Sequence, residues 1–215
     1  TKEEFALCMK YMGSIFKNIK CIDNFFYYPI DMILGINADK AAKGRIVLVG
    51  NSCSFTNNHL YVLKYIKHLD LTNKEIVMPL NYGGHEKYKQ RIVKRGYRYF
   101  GSNFHPLLSF MPLDQYNRIM LKSEVCIYGS WRQEANGNII IALYLGAKVF
   151  MSRKSPLFLY YTNMGLLLFP LESITQEKVD TPLSEKEKLH NRLILITRFN
   201  KDAQLNAIRK IWDVN

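Results

Sequence analysis

Apolar and polar positions in this chain fall into blocks whose period shifts repeatedly between helical and extended. Phe5, Cys8, Met12, Ile15, Phe16 and Ile19 recur at helical spacing, which predicts an amphipathic helix over residues 1–19. Residues 25–28 with Pro29 read as extended, and residues 35–44 as a polar linker. Residues 45–49 (RIVLV) then predict a strand with Gly50-Asn51-Ser52 as its exit turn. Thr56 or Asn57 is placed to cap a helix running through Leu60, Leu63, Ile66 and Lys67. The same beat repeats. Residues 75–80 predict a strand, Tyr82-Gly83-Gly84 a loop, residues 85–95 a helix stopped by Gly96, and residues 97–100 the next strand. A helix over residues 113–122 is entered at Pro112.

The most informative stretch is residues 124–151. An apolar run at 125–128 reads as a buried strand and breaks into small and polar residues. The chain resumes as an apolar helix at 139–145, Gly146 closes it, and residues 148–151 form another strand. Pro156 starts a short helix ending near Gly165, residues 166–169 predict a last strand before Pro170, and residues 183–213 are helical and highly charged. Strand–helix alternation with apolar strands argues for one α/β, Rossmann-like domain, a parallel sheet with helices on both faces.

A chain of 215 residues, 48% apolar and 22% charged, is long enough to bury a core. No apolar run reaches the ~20 residues that span a bilayer. The net charge of +12 favours anionic partners: phosphorylated substrates, acidic lipid surfaces or nucleic acid. Cys8, Cys21, Cys53 and Cys126 show no CxxC spacing, which argues against a zinc site or a disulfide framework.

A strand–polar loop–helix passage is where open α/β sheets bind ligands, and a helix start offers free N–H groups to phosphate. Arg132 adds a planar fork of donors in that loop, beside Gln133; Glu134 is a carboxylate placed to bond a ribose or sugar hydroxyl. Asn51 and Ser52 supply hydrogen bonds after Gly50, and Tyr82 with Gly83 and Gly84 is suited to border a nucleobase. The first loop fits neither G-x-G-x-x-G nor a P-loop. His59, His68, His85, His105 and His190 lack metal-ligand spacing and read mostly as surface residues. Asp114 reads as a helix-start residue. The stripe Tyr88, Lys89, Arg91, Lys94, Arg95, Tyr97 and Arg98 turns its bases to water, with no nucleic-acid module around it, so nucleic acid is not the expected partner. No hydrolase elbow or metalloenzyme motif is present.

These pieces, in this order, resemble the TDP-N-acetylfucosamine:lipid II N-acetylfucosaminyltransferase family, which builds the enterobacterial common antigen trisaccharide. The residues that carry the resemblance are Tyr28-Pro29 with Asp31, residues 46–52 (IVLVGNS) with Asn57 and His59, and residues 77–82 (VMPLNY) with Tyr88. Asp114-Gln115-Tyr116, Arg132-Gln133 with Gly137, residues 143–146 and residues 152–156 (SRKSP) complete it. The resemblance implies a GT-B glycosyltransferase, of which this chain is the C-terminal, donor-binding half. Thr1 in place of Met fits a preceding acceptor half. On that reading residues 1–44 connect the two halves, residues 45–182 bind the nucleotide-sugar, and residues 183–215 are C-terminal helices packing back across the hinge.

The same resemblance implies a TDP-linked deoxyamino-sugar donor, no metal or other cofactor, and a polyprenyl-diphosphate-linked glycan acceptor. It places the enzyme on the cytoplasmic, anionic face of the bacterial membrane, where the +12 charge fits peripheral docking. Arg132 would pair with the diphosphate, Gly137 and Asn138 would offer N–H groups, Gly50, Asn51 and Ser52 would line the cleft floor, and Tyr82 and Gly83 would border the nucleotide. A catalytic base would come from the other half or from Glu134. The family's Arg-Gln loop is richer in glycine; here Ala135 and Asn136 stand in it, and Asn138 replaces a usual hydroxyl residue, so a related amino-sugar donor also fits. A GT-B-fold nucleotide-sugar epimerase and a non-catalytic nucleotide-binding domain are the alternatives.

Overall fold

Six short strands line up in parallel in the order β3-β2-β1-β4-β5-β6. They are β1 (Ile46–Val49), β2 (Glu75–Pro79), β3 (Phe104–Leu107), β4 (Ser123–Tyr128), β5 (Lys148–Met151) and β6 (Phe169–Pro170). The structure is a computed structural model and describes residues 1–15, 19, 21 and 28–212. The predicted positions Phe16, 25–27 and Asp213 lie outside them. The helices are α1 (Lys2–Met12), α2 (Ile30–Leu34), α3 (His59–Ile66), α4 (Glu86–Phe100), α5 (Leu113–Lys122), α6 (Asn136–Tyr144), α7 (Pro156–Asn163), α8 (Gln176–Asp180), α9 (Glu185–Arg198) and α10 (Lys201–Trp212).

Alternate strand residues feed two separate cores, as the pleat requires. Val47, Val49, Ile76, Met78, Val125, Ile127 and Phe150 join Val62, Leu63, Ile66 and Ile92 of α3 and α4 on one face. Ile46, Leu48, Val77, Cys126, Tyr128, Val149 and Met151 meet α2, α6, α7 and α9 on the other. The expected Rossmann-like architecture, parallel and covered on both faces, is what forms. Every residue of α6 from Ile139 to Tyr144 is buried, because the helix lies between the sheet and α9 and has no wet face to make polar.

Several expected elements differ. The helix after β2 does not stop at Gly96 but continues through it to Phe100, so residues 97–100 are helix and the strand is Phe104–Leu107. Gly96 is there for packing: a Cβ on it would lie 2.3 Å from Cζ of Phe104. Gly101, at φ 55°, ends the helix instead. The apolar run at 166–168 largely precedes β6; a fully buried Asn191 side chain holds Leu167 there, accepting from its N–H at 2.8 Å and donating to its carbonyl at 3.0 Å. Neither Thr56 nor Asn57 caps α3. Asn58 occupies the N-cap position at φ 53° without a side-chain cap bond, its amide donating instead to the Gly129 carbonyl at 3.0 Å. The N-terminal helix is shorter than expected, held at its start by a Thr1–Glu4 capping box. Residues 30–34, between the expected extended segment and the polar linker, fold as α2. All four cysteines are free, with Cys53 and Cys126 buried.

Candidate functional site

The chain runs outward through β1, β2 and β3, then returns to β4 beside β1 and continues to β5 and β6. The reversal leaves a crevice at the carboxyl ends of β1 and β4, the place where open α/β sheets take their ligands. Two loops meet there, residues 50–58 and residues 129–135.

Gly50 leaves β1 at φ 71°, and a Cβ on it would stand 2.9 Å from Asn57 Oδ1 and 3.1 Å from His59 Nε2. Only glycine fits this approach. Asn57 is buried and organises the turn: its Oδ1 accepts from Asn51 N at 3.1 Å, and its amide donates to Ser52 Oγ at 3.0 Å and to Glu134 Oε1 at 3.1 Å. Glu134, its side chain 11% exposed, also accepts from Thr56 Oγ1 at 2.7 Å and from Ser130 Oγ at 3.3 Å. Both carboxylate oxygens are therefore engaged, and the carboxylate ties the β4 loop to the β1 loop.

Beneath the turn lies His59, fully buried, unlike the surface placement expected for most of the histidines. Its Nδ1 is 3.3 Å from the Tyr88 hydroxyl. Burial lowers its pKa from 6.5 to about 4, the Ser52 backbone opposing part of the drop, so the ring is neutral at physiological pH.

Asn51, Tyr82 and Asn138 line one cleft of about 250 Å³, together with Phe110, Leu113 and Tyr116. The Asn51 amide donates to the Tyr82 hydroxyl at 3.3 Å, and the Asn138 amide to the Tyr116 hydroxyl at 3.0 Å. Tyr82, 57% exposed, and Phe110, 84% exposed, present open rings beside it. Gly137 and Asn138 also line an adjoining cleft of about 210 Å³ that shares Leu113 and Tyr116. Both clefts thus meet at the start of α6. That helix has no side-chain cap and no acidic residue in its first turn. The first N–H groups of any helix lack intrahelical partners, so those of Asn136, Gly137 and Asn138 stand open with the positive end of the dipole behind them.

Six candidates lie outside this lining: Gly50, Ser52 and Glu134, which belong to the turn described above, and Arg132, Gln133 and Gly83. The Arg132 side chain is 66% exposed and its Nε is 3.8 Å from Glu134. Gln133, its amide nitrogen turned to α1 as the neighbouring groups require, donates to the Glu4 carboxylate and accepts from Asn136 Nδ2 at 2.7 Å. Gly83 stands at φ 66° beside Ser54; in this glycine pair the tight approach belongs to Gly84, where a Cβ would lie 2.2 Å from the Cys53 carbonyl oxygen. The sequence reading missed Phe110 as a lining residue and the structural parts of Asn57 and His59. The spacing of Asn57 and His59 after the Gly50 turn was the available signal. Among the described residues no group of three or more His, Cys, Asp or Glu could hold a metal ion, and no helix is long and apolar enough to cross a membrane.

This sheet order and crevice are those of a Rossmann-like unit, and the solved structures that share it include glycosyltransferases. The chain is similar to a glycosyltransferase from Rickettsia africae ESF-5 at 15% identity and TM-score 0.63, covering 91% of this chain and 52% of that one. It is similar also to sucrose-phosphate synthase from Thermosynechococcus elongatus at 16% identity and TM-score 0.67, with 99% and 56% covered. A glycosyltransferase involved in avilamycin A biosynthesis matches at 12% identity and TM-score 0.57, with 81% and 52% covered. The chain spans about half the length of these structures. Residues 8–203 match the family described as 4-alpha-L-fucosyltransferase, glycosyl transferase group 56. The chain belongs to that family.

Proposed function

We propose that this chain is the nucleotide-sugar-binding half of a glycosyltransferase that moves a deoxyamino sugar, TDP-linked, to a lipid-linked glycan. The observation that carries the reading is the uncapped start of α6 opening between two clefts that share Asn138. A diphosphate seated there meets three open N–H groups and a positive dipole end. Arg132, exposed and held only at 3.8 Å by Glu134, swings to the leaving diphosphate and stabilises its charge as the glycosidic bond breaks. Tyr82 and Phe110 border the nucleobase, and Gly50, Asn51 and Ser52 form the floor. Gln133 acts on the loop through Asn136 rather than on the donor. Glu134 positions the two loops, and proton removal from the acceptor falls to the other half of the protein.

The acceptor is taken to be a polyprenyl-diphosphate-linked glycan at the cytoplasmic face of the bacterial membrane, consistent with the family resemblance and the net charge of +12. The test is a melting-temperature comparison with dTDP, UDP and GDP. The reading expects stabilisation by a nucleoside diphosphate, largest with dTDP. Equal stabilisation by all three would remove the base assignment, and none by any would remove the donor site.

A further inference from the structure

The cations of α4 are not scattered. Arg91, Lys94, Arg95 and Arg98 recur every three or four residues and so share one side of the helix. The opposite side is fixed in place by buried Ile92 and by Gly96, which lies against the Phe104 ring. On α3, Val62, Leu63 and Ile66 are buried while Lys64 and Lys67 face outward. The Lys67 ammonium stands 6.0 Å from the centre of the Tyr99 ring, so the two rows of cations adjoin. The only acid within either helix, Glu86, is paired with Lys89 at 3.1 Å, and Asp70, just past α3, bonds Thr72 in its own turn. Among the described residues none of the six outward cations forms an ion pair.

We propose that this outer face of α3 and α4 is the surface by which the protein lies on an anionic bilayer, a proposal that rests on the lipid-linked acceptor of the preceding section. Two neighbouring helices presenting a row of unneutralised cations match a plane of anionic headgroups, whose field acts within a Debye length, about 8 Å at physiological salt. Tyr97, half exposed on the Lys94 flank of the row with its ring edge-on to Phe104 at 5.2 Å, is the kind of side chain that settles at a headgroup boundary. Nucleic acid fits less well. Tyr99 and Phe100 are half-buried and packed edge to face at 6.2 Å, so neither offers an open face for stacking bases, and Tyr97 alone is no run of stacking platforms. Because α4 begins just past the Tyr82–Gly84 loop, docking by this face sets the nucleotide cleft beside the membrane.

The test is co-sedimentation with phosphatidylglycerol-containing vesicles and with pure phosphatidylcholine vesicles. It compares the wild-type chain, the variant Lys64→Gln, Arg91→Gln, Lys94→Gln and Arg98→Gln, and a control, Lys122→Gln, Lys186→Gln, Lys201→Gln and Arg209→Gln, that loses the same charge elsewhere. Circular dichroism establishes that each is folded. The wild type and the control should bind only the anionic vesicles, in a salt-sensitive way, and the face variant should bind roughly tenfold more weakly or worse. Equal loss in both variants, or none in the face variant, overturns the face while leaving membrane association standing. A wild type that ignores anionic vesicles, or that binds single-stranded RNA in their place, overturns both the face and the membrane reading, and the nucleoside-diphosphate melting shift judges the donor site separately.

Discussion

Glu134 and Thr56 are 78 residues apart in sequence and 2.7 Å apart in space, hydroxyl to carboxylate. This contact, with those to Asn57 and Ser130, makes the candidate site a joint property of the loops after β1 and β4. Glu134→Ala removes the acceptor shared by Thr56, Asn57 and Ser130, of which Asn57 and Ser130 keep a second acceptor in Ser52 and the Arg132 carbonyl. It should destabilise the fold by about 1–3 kcal/mol and weaken nucleotide binding along with it. A variant that keeps its melting temperature but alters the pH profile of transfer would mark Glu134 as a base instead.

Ala135 stands at φ 63° at the entry to α6. A left-handed conformation costs a residue with a Cβ roughly 1–2 kcal/mol, of which glycine's greater freedom in the unfolded chain takes back about half. Ala135→Gly should therefore raise stability by up to about 1 kcal/mol, read as a higher denaturation midpoint. A lower midpoint would show that the Ala135 methyl contributes more by packing than the backbone loses.

Gly96→Ala should act in the other direction. Alanine favours helix, but its methyl would be driven into the Phe104 ring, and overpacking of this kind costs about 1–3 kcal/mol. Phe104→Leu should restore part of the loss in the double variant. An unaltered midpoint in Gly96→Ala would show that the ring shifts freely.

His59 gives the fold a pH dependence of definite sign. Its folded pKa of about 4 lies below the ordinary 6.5, so between these values the unfolded chain binds a proton that the folded chain does not. Its contribution is intact above about pH 6.5 and is lost as the pH falls, by about 2 kcal/mol between pH 7.5 and 5. His59→Gln should flatten that part of the stability curve. A slope unchanged in His59→Gln would place the titration elsewhere.

Periodicity made the sheet legible, since parallel strands buried on both faces have to be largely apolar, as at residues 46–49 and 125–128. It failed where a residue's reason was tertiary. Gly96 looked like a helix stop because nothing local announces the Phe104 ring above it. Asn191, in a distant helix, holds Leu167 in place, so the apolar run at 166–168 looked like more strand than there is. At the site, the small and polar loop residues marked where a ligand could go, and Asn51, Tyr82 and Asn138 do come together. Loop identity alone did not reveal that Glu134 faces inward or that Gln133 turns to α1. Those orientations depend on Thr56, Asn57 and Glu4, from other parts of the chain.

Calorimetric titration of dTDP into the wild type and into Arg132→Ala and Asn138→Asp tests the donor site most directly. The wild type should bind. Arg132→Ala should bind roughly tenfold more weakly or worse, as expected for loss of a charged hydrogen bond, and the carboxylate of Asn138→Asp at the open helix start should repel the diphosphate to a similar degree. Binding of equal strength in all three proteins would contradict a diphosphate at the start of α6.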